Sequence, residues 1–254
     1  MTPAQKWPQR LWLVRHGQSA GNVARDAAEA AALPVIDIAE RDMDVPLSPL
    51  GREQARALGG WFAGRPKDEQ PDVVLCSPYV RARQTAARVT KALGTAPEAV
   101  RYDERLREKE FGILDRLTRH GICAKFPELS EQRKHVGKFY FRPPGGESWC
   151  DVVLRLRSVI DTITREHPGQ RVLIVGHQVI VTCMRYLLEQ LDEAQVLAID
   201  RKGDVPNCGV TSYVFDPRER QGQLVVERVN FLAPLLEAGT SVTTAPDVPA
   251  APKP

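Results

Sequence analysis

The 254-residue sequence has no apolar run long enough to cross a bilayer, and Met1 to Pro8 contains no apolar signal-peptide core. Neither a membrane span nor export is expected, and a cytoplasmic location follows. An excess of one charge is also missing. Lys and Arg number 35 against 32 Asp and Glu, and the resulting +3 is too slight for the basic footprint of a nucleic-acid-binding protein. The five cysteines, Cys76, Cys123, Cys150, Cys183 and Cys208, are scattered, odd in number and free of any Cys-x-x-Cys pair. A disulfide framework and a zinc site are both disfavoured, and reduced thiols are the simplest account. No internal repeat is present. What remains is the composition of an ordinary globule, 43% hydrophobic and 26% charged, in a chain long enough to bury a sizeable core.

The chain is organised around Leu11-Trp12-Leu13-Val14, a short buried strand, and the Arg15-His16-Gly17 that follows at its C-terminal mouth, with Gln18, Ser19 and Asn22 just beyond. Neutral imidazole is a good nucleophile near pH 7, and a guanidinium holds phosphoryl oxygens in a fork of fixed donors. Ala24 to Ala32 is alanine-rich and predicts a short helix that Pro34 stops. The stretch from there to Pro46 mixes charge with apolar residues. It reads first as a solvated excursion, and alternatively, with residues from about 23 to 46, as a flap over the mouth of the first strand.

Ser48-Pro49 opens a helix to Phe62 in the favoured order of N-cap then proline. Val73-Val74-Leu75-Cys76 is a second buried strand, and the helix after Ser77-Pro78 carries Arg81 to Thr85 in its first turns. A short strand near Val100 to Tyr102 leads to Glu108 and Phe111-Gly112. Residues from about 113 to 147 are polar and helical in character, and predict an inserted cap. Ser148-x-x-Asp151 reads as a capping box for an amphipathic helix. Val172 to Val175 is a third buried strand, ending at Gly176-His177 before a helix from Gln178. Val210 to Phe215 and Leu224 to Asn230 suggest a hairpin, and residues 238–254, rich in Ala, Pro and Thr, a disordered tail. Strands alternating with helices predict one α/β domain over residues 1–237: a three-layer α/β/α sandwich with a mostly parallel central sheet.

Three strand ends thus deliver Arg15 with His16, Arg81, and His177, and one loop delivers Glu108. In open parallel sheets such ends converge on a single crevice. The segments Leu13 to Ser19 with Asn22, Ser77-Pro78 with Arg81 to Thr85, Glu108 near Phe111-Gly112, and Val175-Gly176-His177 resemble, in this order, the motifs of the histidine phosphatase superfamily, over about Arg10 to Leu232. The resemblance implies that His16 is phosphorylated during turnover, that Arg15, Arg81 and His177 bind the transferring phosphoryl group, and that Glu108 protonates the leaving oxygen. Gly17, Ser19, Asn22 and Gln178 are expected to contribute to phosphate binding. Physical reasoning runs the same way. Charge growing on the phosphoryl oxygens needs preorganised donors, and two arginines with His177 provide them with no metal or cofactor expected. A phosphate dianion and burial both favour the protonated Glu108 that a general acid requires.

A phosphohistidine can be captured by water or by a bound product, so the core alone leaves both phosphatase and mutase open. No adjacent arginine pair lies between Glu108 and Gly145, and Pro144-Gly145-Gly146-Glu147-Ser148 resembles the corresponding run of the fructose 2,6-bisphosphatase domain. A phosphomonoester hydrolase acting on a small phosphorylated metabolite is the leading expectation. A phosphoglycerate mutase-type phosphotransferase and a non-catalytic phospholigand-binding module are the alternatives. Arg133, Lys134, His135, Lys138 and Arg142 read first as a solvated helical face mixed with Glu128 and Glu131, and otherwise as an entrance for a multiply charged substrate. Among partners, neither nucleic acid nor membrane is expected, and a homodimer stays open.

Overall fold

The computed structural model describes residues 5–219 and 222–244. Its centre is β1 (Arg10–Arg15), whose apolar run is buried on both faces because it lies inside a six-stranded sheet. β4 (Arg171–Gly176) pairs parallel with β1 on one side, and β5 (Val210–Asp216) pairs antiparallel on the other. β2 (Val73–Cys76) and β3 (Val100–Tyr102) continue the parallel part outward, and β6 (Gln223–Phe231) closes the antiparallel edge. The order is β3-β2-β4-β1-β5-β6. The C-terminal ends of the parallel strands therefore open on one edge, where His16, Ser77 and His177 follow β1, β2 and β4.

Side-chain alternation divides the core. Leu11 and Leu13 of β1 point to one face with Val172 and Ile174 of β4, against α6 (Trp149–Glu166) and α7 (Gln178–Leu188). Trp12 and Val14 point to the other with Leu173 and Val175, against Leu58 and Phe62 of α2 (Pro49–Ala63) and Ala82, Ala86 and Val89 of α3 (Val80–Leu93). This is the expected three-layer α/β sandwich with a mostly parallel sheet. Ser148 and Asp151 form the expected capping box on α6. α1 (Ala20–Ala30) starts earlier than expected, because Ser19 and Asn22 form a capping box of their own.

Residues between β3 and α6 form the cap, with α4 (Arg119–Lys125) and α5 (Pro127–Val136). It has a small apolar cluster of its own, Phe111, Leu114, Leu117, Ile122 and Phe141, that the sequence reading did not separate from the main core. Glu110 to Gly112 are clamped by the Pro143 to Gly146 turn. Gly112 has φ +54, and a Cβ there would lie 2.1 Å from the Pro144 carbonyl oxygen. α8 (Glu193–Lys202) and α9 (Ala233–Glu237) complete the chain, the former capped reciprocally by Asp192 and Gln195.

The tail expectation needs correction over residues 238–244. Gln54 Nε2 donates to the Ser241 carbonyl and to Thr243 Oγ1, both at 2.9 Å, and Thr243 Oγ1 donates to Asn207 Oδ1 at 2.9 Å. Val242 packs against the α2 side of the core. Composition alone missed this because the anchors are buried polar groups far away in sequence. Residues 245–254 lie outside the described part. No described helix is long and apolar enough to cross a membrane.

Candidate active site

His16 is the first residue past β1 and is fully buried. Its backbone is gripped on both sides: the amide donates to the Gly176 carbonyl at 2.9 Å, and the carbonyl accepts from Asn207 Nδ2 at 3.0 Å. Gly17 follows because nothing larger fits. A Cβ there would lie 2.5 Å from the carbonyl oxygen of Gly51, and one on Gly51 would meet the Gln18 carbonyl oxygen at 1.9 Å. This backbone contact presses the start of α2 against the loop, while Gly17 N donates to Thr85 Oγ1 at 3.1 Å.

The imidazole is oriented through both nitrogens. Nδ1 lies 2.6 Å from the carbonyl oxygen of Gly17, which can only accept, so Nδ1 carries the proton. Nε2 then holds the lone pair, and Arg81 Nε donates to it at 3.2 Å. The His177 ring is 5.2 Å from the His16 ring and 5.1 Å from that of Tyr79, and its Nε2 is 2.8 Å from Ser77 Oγ. Arg15 is fully buried, with Nη1 donating to the Val205 carbonyl at 2.6 Å. His16, Arg81 and His177, drawn from three strand ends, therefore meet, with Arg15 next to His16 in the chain.

Glu108 is also fully buried, and its Oε1 accepts from the backbone N–H of Lys109 at 2.8 Å. Its backbone is fixed from α6: Arg155 Nη2 donates to the Glu108 carbonyl at 3.3 Å and to Glu147 Oε2 at 3.0 Å. Burial raises the Glu147 carboxyl, but the hydrogen bond and charge of Arg155, with Arg107, outweigh it and hold Glu147 below its usual range. Burial also pushes the Cys76 and Cys208 thiols far up, which removes both as nucleophiles beside this crevice.

The expected phosphate-binding residues divide by role. Ser19 and Asn22 border a small cavity of about 60 Å³ together with Arg81, but the Ser19 hydroxyl and the Asn22 side-chain carbonyl are both engaged in the α1 capping box. Gln178 borders a different cavity, of about 410 Å³, and its Nε2 donates to Asp204 Oδ1 at 2.7 Å. Arg25 and Phe111 line both spaces, which makes them neighbouring chambers of one cleft.

Several contributors were not legible as such. Asp42 reaches Arg81 from the 23–46 excursion: its carboxylate lies 3.1 Å from Arg81 Nη1, and its backbone carbonyl accepts from the same nitrogen at 2.5 Å. Ser77 stood in a recognised motif but was given no role there, and its Oγ lies 2.8 Å from His177 Nε2. Arg25 lies three residues past Asn22 on the buried face of α1, a spacing that could have revealed it. Of the cap's basic run, Arg133 and Lys138 line the larger chamber, whereas Lys134 is exposed and paired with Glu131, and Arg142 is exposed and paired with Asp151.

Comparison with known proteins places the chain in a family. The family model of the histidine phosphatase superfamily (branch 1) matches residues 11–228. A 6-phosphofructo-2-kinase/fructose-2,6-bisphosphatase of Caenorhabditis elegans is 33% identical over 178 residues, 70% of this chain but only 33% of that protein's length. A 2,3-bisphosphoglycerate-dependent phosphoglycerate mutase of Methylobacterium radiotolerans is 31% identical, with 77% of this chain and 86% of the mutase covered. Among solved structures, a mycobacterial glucosyl-3-phosphoglycerate phosphatase in complex with VO3 superposes with a TM-score of 0.68 at 26% identity, covering 88% of this chain and 99% of that one. With the family model spanning nearly all of the sheet and cap, this chain is an enzyme of the histidine phosphatase superfamily, branch 1.

Proposed function

We propose that the protein hydrolyses phosphomonoesters of a small metabolite through a phosphohistidine at His16. The observation that carries this reading is the orientation of the imidazole, with Nδ1–H donated to the Gly17 carbonyl at 2.6 Å and the Nε2 lone pair turned toward Arg81. Nε2 attacks phosphorus as the bond to the ester oxygen breaks. The imidazolium that forms keeps its Nδ1–H on the Gly17 carbonyl, a contact that strengthens as positive charge develops. Arg15, Arg81 and His177 stabilise the phosphoryl oxygens, and the guanidiniums supply the charge that a metal supplies in other phosphoryl-transfer sites. Glu108, as the neutral acid, gives its proton to the departing oxygen. The carboxylate left behind takes a proton from water, which attacks the phosphohistidine, breaks the P–N bond and releases phosphate.

Hydrolysis is preferred over transfer because no adjacent arginine pair lies between Glu108 and Gly145 to retain a phosphorylated three-carbon acid. The near-full-length match to a mutase keeps that second reading in view. The test is phosphate release from a panel of phosphomonoesters and bisphosphates, wild type beside His16→Ala, with acid-labile, base-stable label trapped on the protein. Release and label that both vanish in His16→Ala support the hydrolase. Interconversion of 2- and 3-phosphoglycerate that depends on a bisphosphate, with little release, supports the mutase. Tight phosphate-ester binding with neither leaves the binding module.

A further inference from the structure

The larger chamber, about 410 Å³, is lined by Lys109, the chain neighbour of Glu108, and by cap residues, so it is where the alcohol half of a phosphomonoester lies if the reading above holds. Much of its wall is apolar: Phe111, Leu114, Ile122, Leu129 and Phe141 all face it. Of its four carboxylates, Asp26 is raised by burial and lies in the field of Arg25 and Arg15, and the other three already have donors. Lys138 Nζ donates to Asp200 Oδ2 at 2.5 Å, Gln178 to Asp204 at 2.7 Å, and the backbone N–H of Arg119 to Glu29 at 3.0 Å. Two cations stand out against this background. Lys109 is 9% exposed, yet among the described residues it has no carboxylate within ion-pair distance. Its Nζ rests over the Phe111 ring at 4.5 Å and makes only a long 3.5 Å contact with the Glu110 carbonyl. Arg133 of α5 is half-buried, faces the same space, and likewise has no ion pair among the described residues.

A buried ammonium without a counterion is costly, and a second cation across the same space adds repulsion. We infer that the substrate's leaving group carries a second anionic group, a carboxylate or a phosphate, on an apolar frame, and that Lys109 and Arg133 are the specificity-determining residues that receive it. The electrostatics of the unliganded chamber agree. Burial draws the Lys109 ammonium down to about 8, Arg133 and Lys138 push the same way, and Glu108 and Glu147 offset this only in part. Arg133 is likewise lowered, by burial first. An anion between the two would relieve both. The chamber's volume and apolar lining suit an aryl or branched alkyl frame better than a three-carbon acid, which would leave most of that wall uncovered.

The assignment rests on the hydrolase reading for its geometry, but its test does not need turnover. Benzylphosphonate and 4-carboxybenzylphosphonate, which cannot be hydrolysed, are titrated calorimetrically into the wild-type protein, Lys109→Met and Arg133→Leu, with circular dichroism to verify folding. The carboxylated ligand is expected to bind the wild type about tenfold more tightly or better, the range of a charge-assisted hydrogen bond. That advantage should fall below about threefold in each variant. Equal affinities in the wild type, or an advantage that survives in both variants, would overturn the assignment. The corresponding benzyl phosphates, assayed for phosphate release, separate the two claims. Discrimination in binding without release supports the anion seat and removes the hydrolase, whereas release of both esters at equal affinity does the reverse.

Discussion

Lys109→Met should make the unliganded protein more stable, in a way that pH can dissect. Burial lowers the Lys109 ammonium from its usual 10.5 to about 8, equivalent to roughly 3 kcal/mol of unfavourable free energy for the charged form in the folded protein. Below pH 8 the side chain is protonated in both folded and unfolded chains, and folding bears the whole of that cost. Between pH 8 and 10.5 the folded side chain is neutral while the unfolded one keeps its proton. The unfolded state then binds more protons, and wild-type stability rises with pH until the cost is gone. Methionine has nearly the same length, carries no charge and packs well beside an aromatic ring such as Phe111. The variant should therefore gain about 3 kcal/mol at pH 7, or roughly 6 to 12 °C in melting temperature for a domain of this size. The gain should shrink steadily from pH 8 and approach zero near pH 10.5. Urea melts followed by circular dichroism at several pH values measure it. A variant no more stable than wild type at pH 7, or a gain that does not fall between pH 8 and 10.5, would refute the claim that an uncompensated buried ammonium lines the chamber.

Glu108→Gln preserves shape but cannot donate a proton, so turnover of alkyl phosphates should fall roughly 10²- to 10⁴-fold while p-nitrophenyl phosphate, whose leaving group needs no proton, loses far less. Steady-state kinetics on the two substrate types read this directly, and equal losses would remove Glu108 as the acid. Asp42→Asn takes a carboxylate from Arg81 and should tighten inhibition by inorganic phosphate about three- to fivefold, the scale of a partly exposed ion pair; an unchanged inhibition constant would mean that Asp42 does not compete with phosphoryl oxygens. Thr243→Val removes a hydroxyl that both Gln54 and Asn207 use, leaving buried polar atoms short of partners. A loss of about 1–3 kcal/mol is expected in denaturant melts, and no loss would mean that the 241–244 segment does not brace the site.

The sheet and its catalytic edge were legible because their signals are local. Four-residue apolar runs ending in Arg15-His16-Gly17, Ser77-Pro78 and Gly176-His177 identify strands and their C-terminal mouths, and a parallel sheet brings such mouths together. Legibility failed where one element acts on another through a contact that no spacing encodes. Asp42 meets Arg81 only because the excursion folds back on the loop after β1, where Ala20 N donates to the Pro46 carbonyl and Ser48 N to the Gln18 carbonyl. Thr243 reaches Asn207 and Gln54 from a segment whose composition suggests no order. The basic run of α5 could not be divided by charge alone, since Arg133 and Lys134 are adjacent and only the burial of one helix face separates them. α8 is a different case: Asp192-x-x-Gln195 is a local signal of the same kind as Ser148-x-x-Asp151 and was available to be read.

The excursion and the cap, separated in sequence by α2, β2, α3 and β3, form one body above the crevice. Val35 bridges Leu117, Ile36 N donates to the Arg116 carbonyl at 2.8 Å, and Thr118 N donates to the Pro34 carbonyl at 3.1 Å. Gly121 of α4 lies so close to Pro34 that a Cβ would stand 1.9 Å from its carbonyl oxygen, and Arg116 Nη2 holds the Glu40 carbonyl at 2.8 Å. Two residues beyond Glu40, Asp42 holds Arg81, whose Nε donates to His16 Nε2. The cap wall of the larger chamber and the guanidinium that meets His16 are thus joined by a short run of backbone and side-chain hydrogen bonds. Such continuity is the physical condition for binding energy at the leaving group to be expressed at phosphorus, where it raises turnover and not affinity alone. It also gives the excursion a reason to be long: it has to span from the cap to Arg81 while leaving Nε of that arginine on His16.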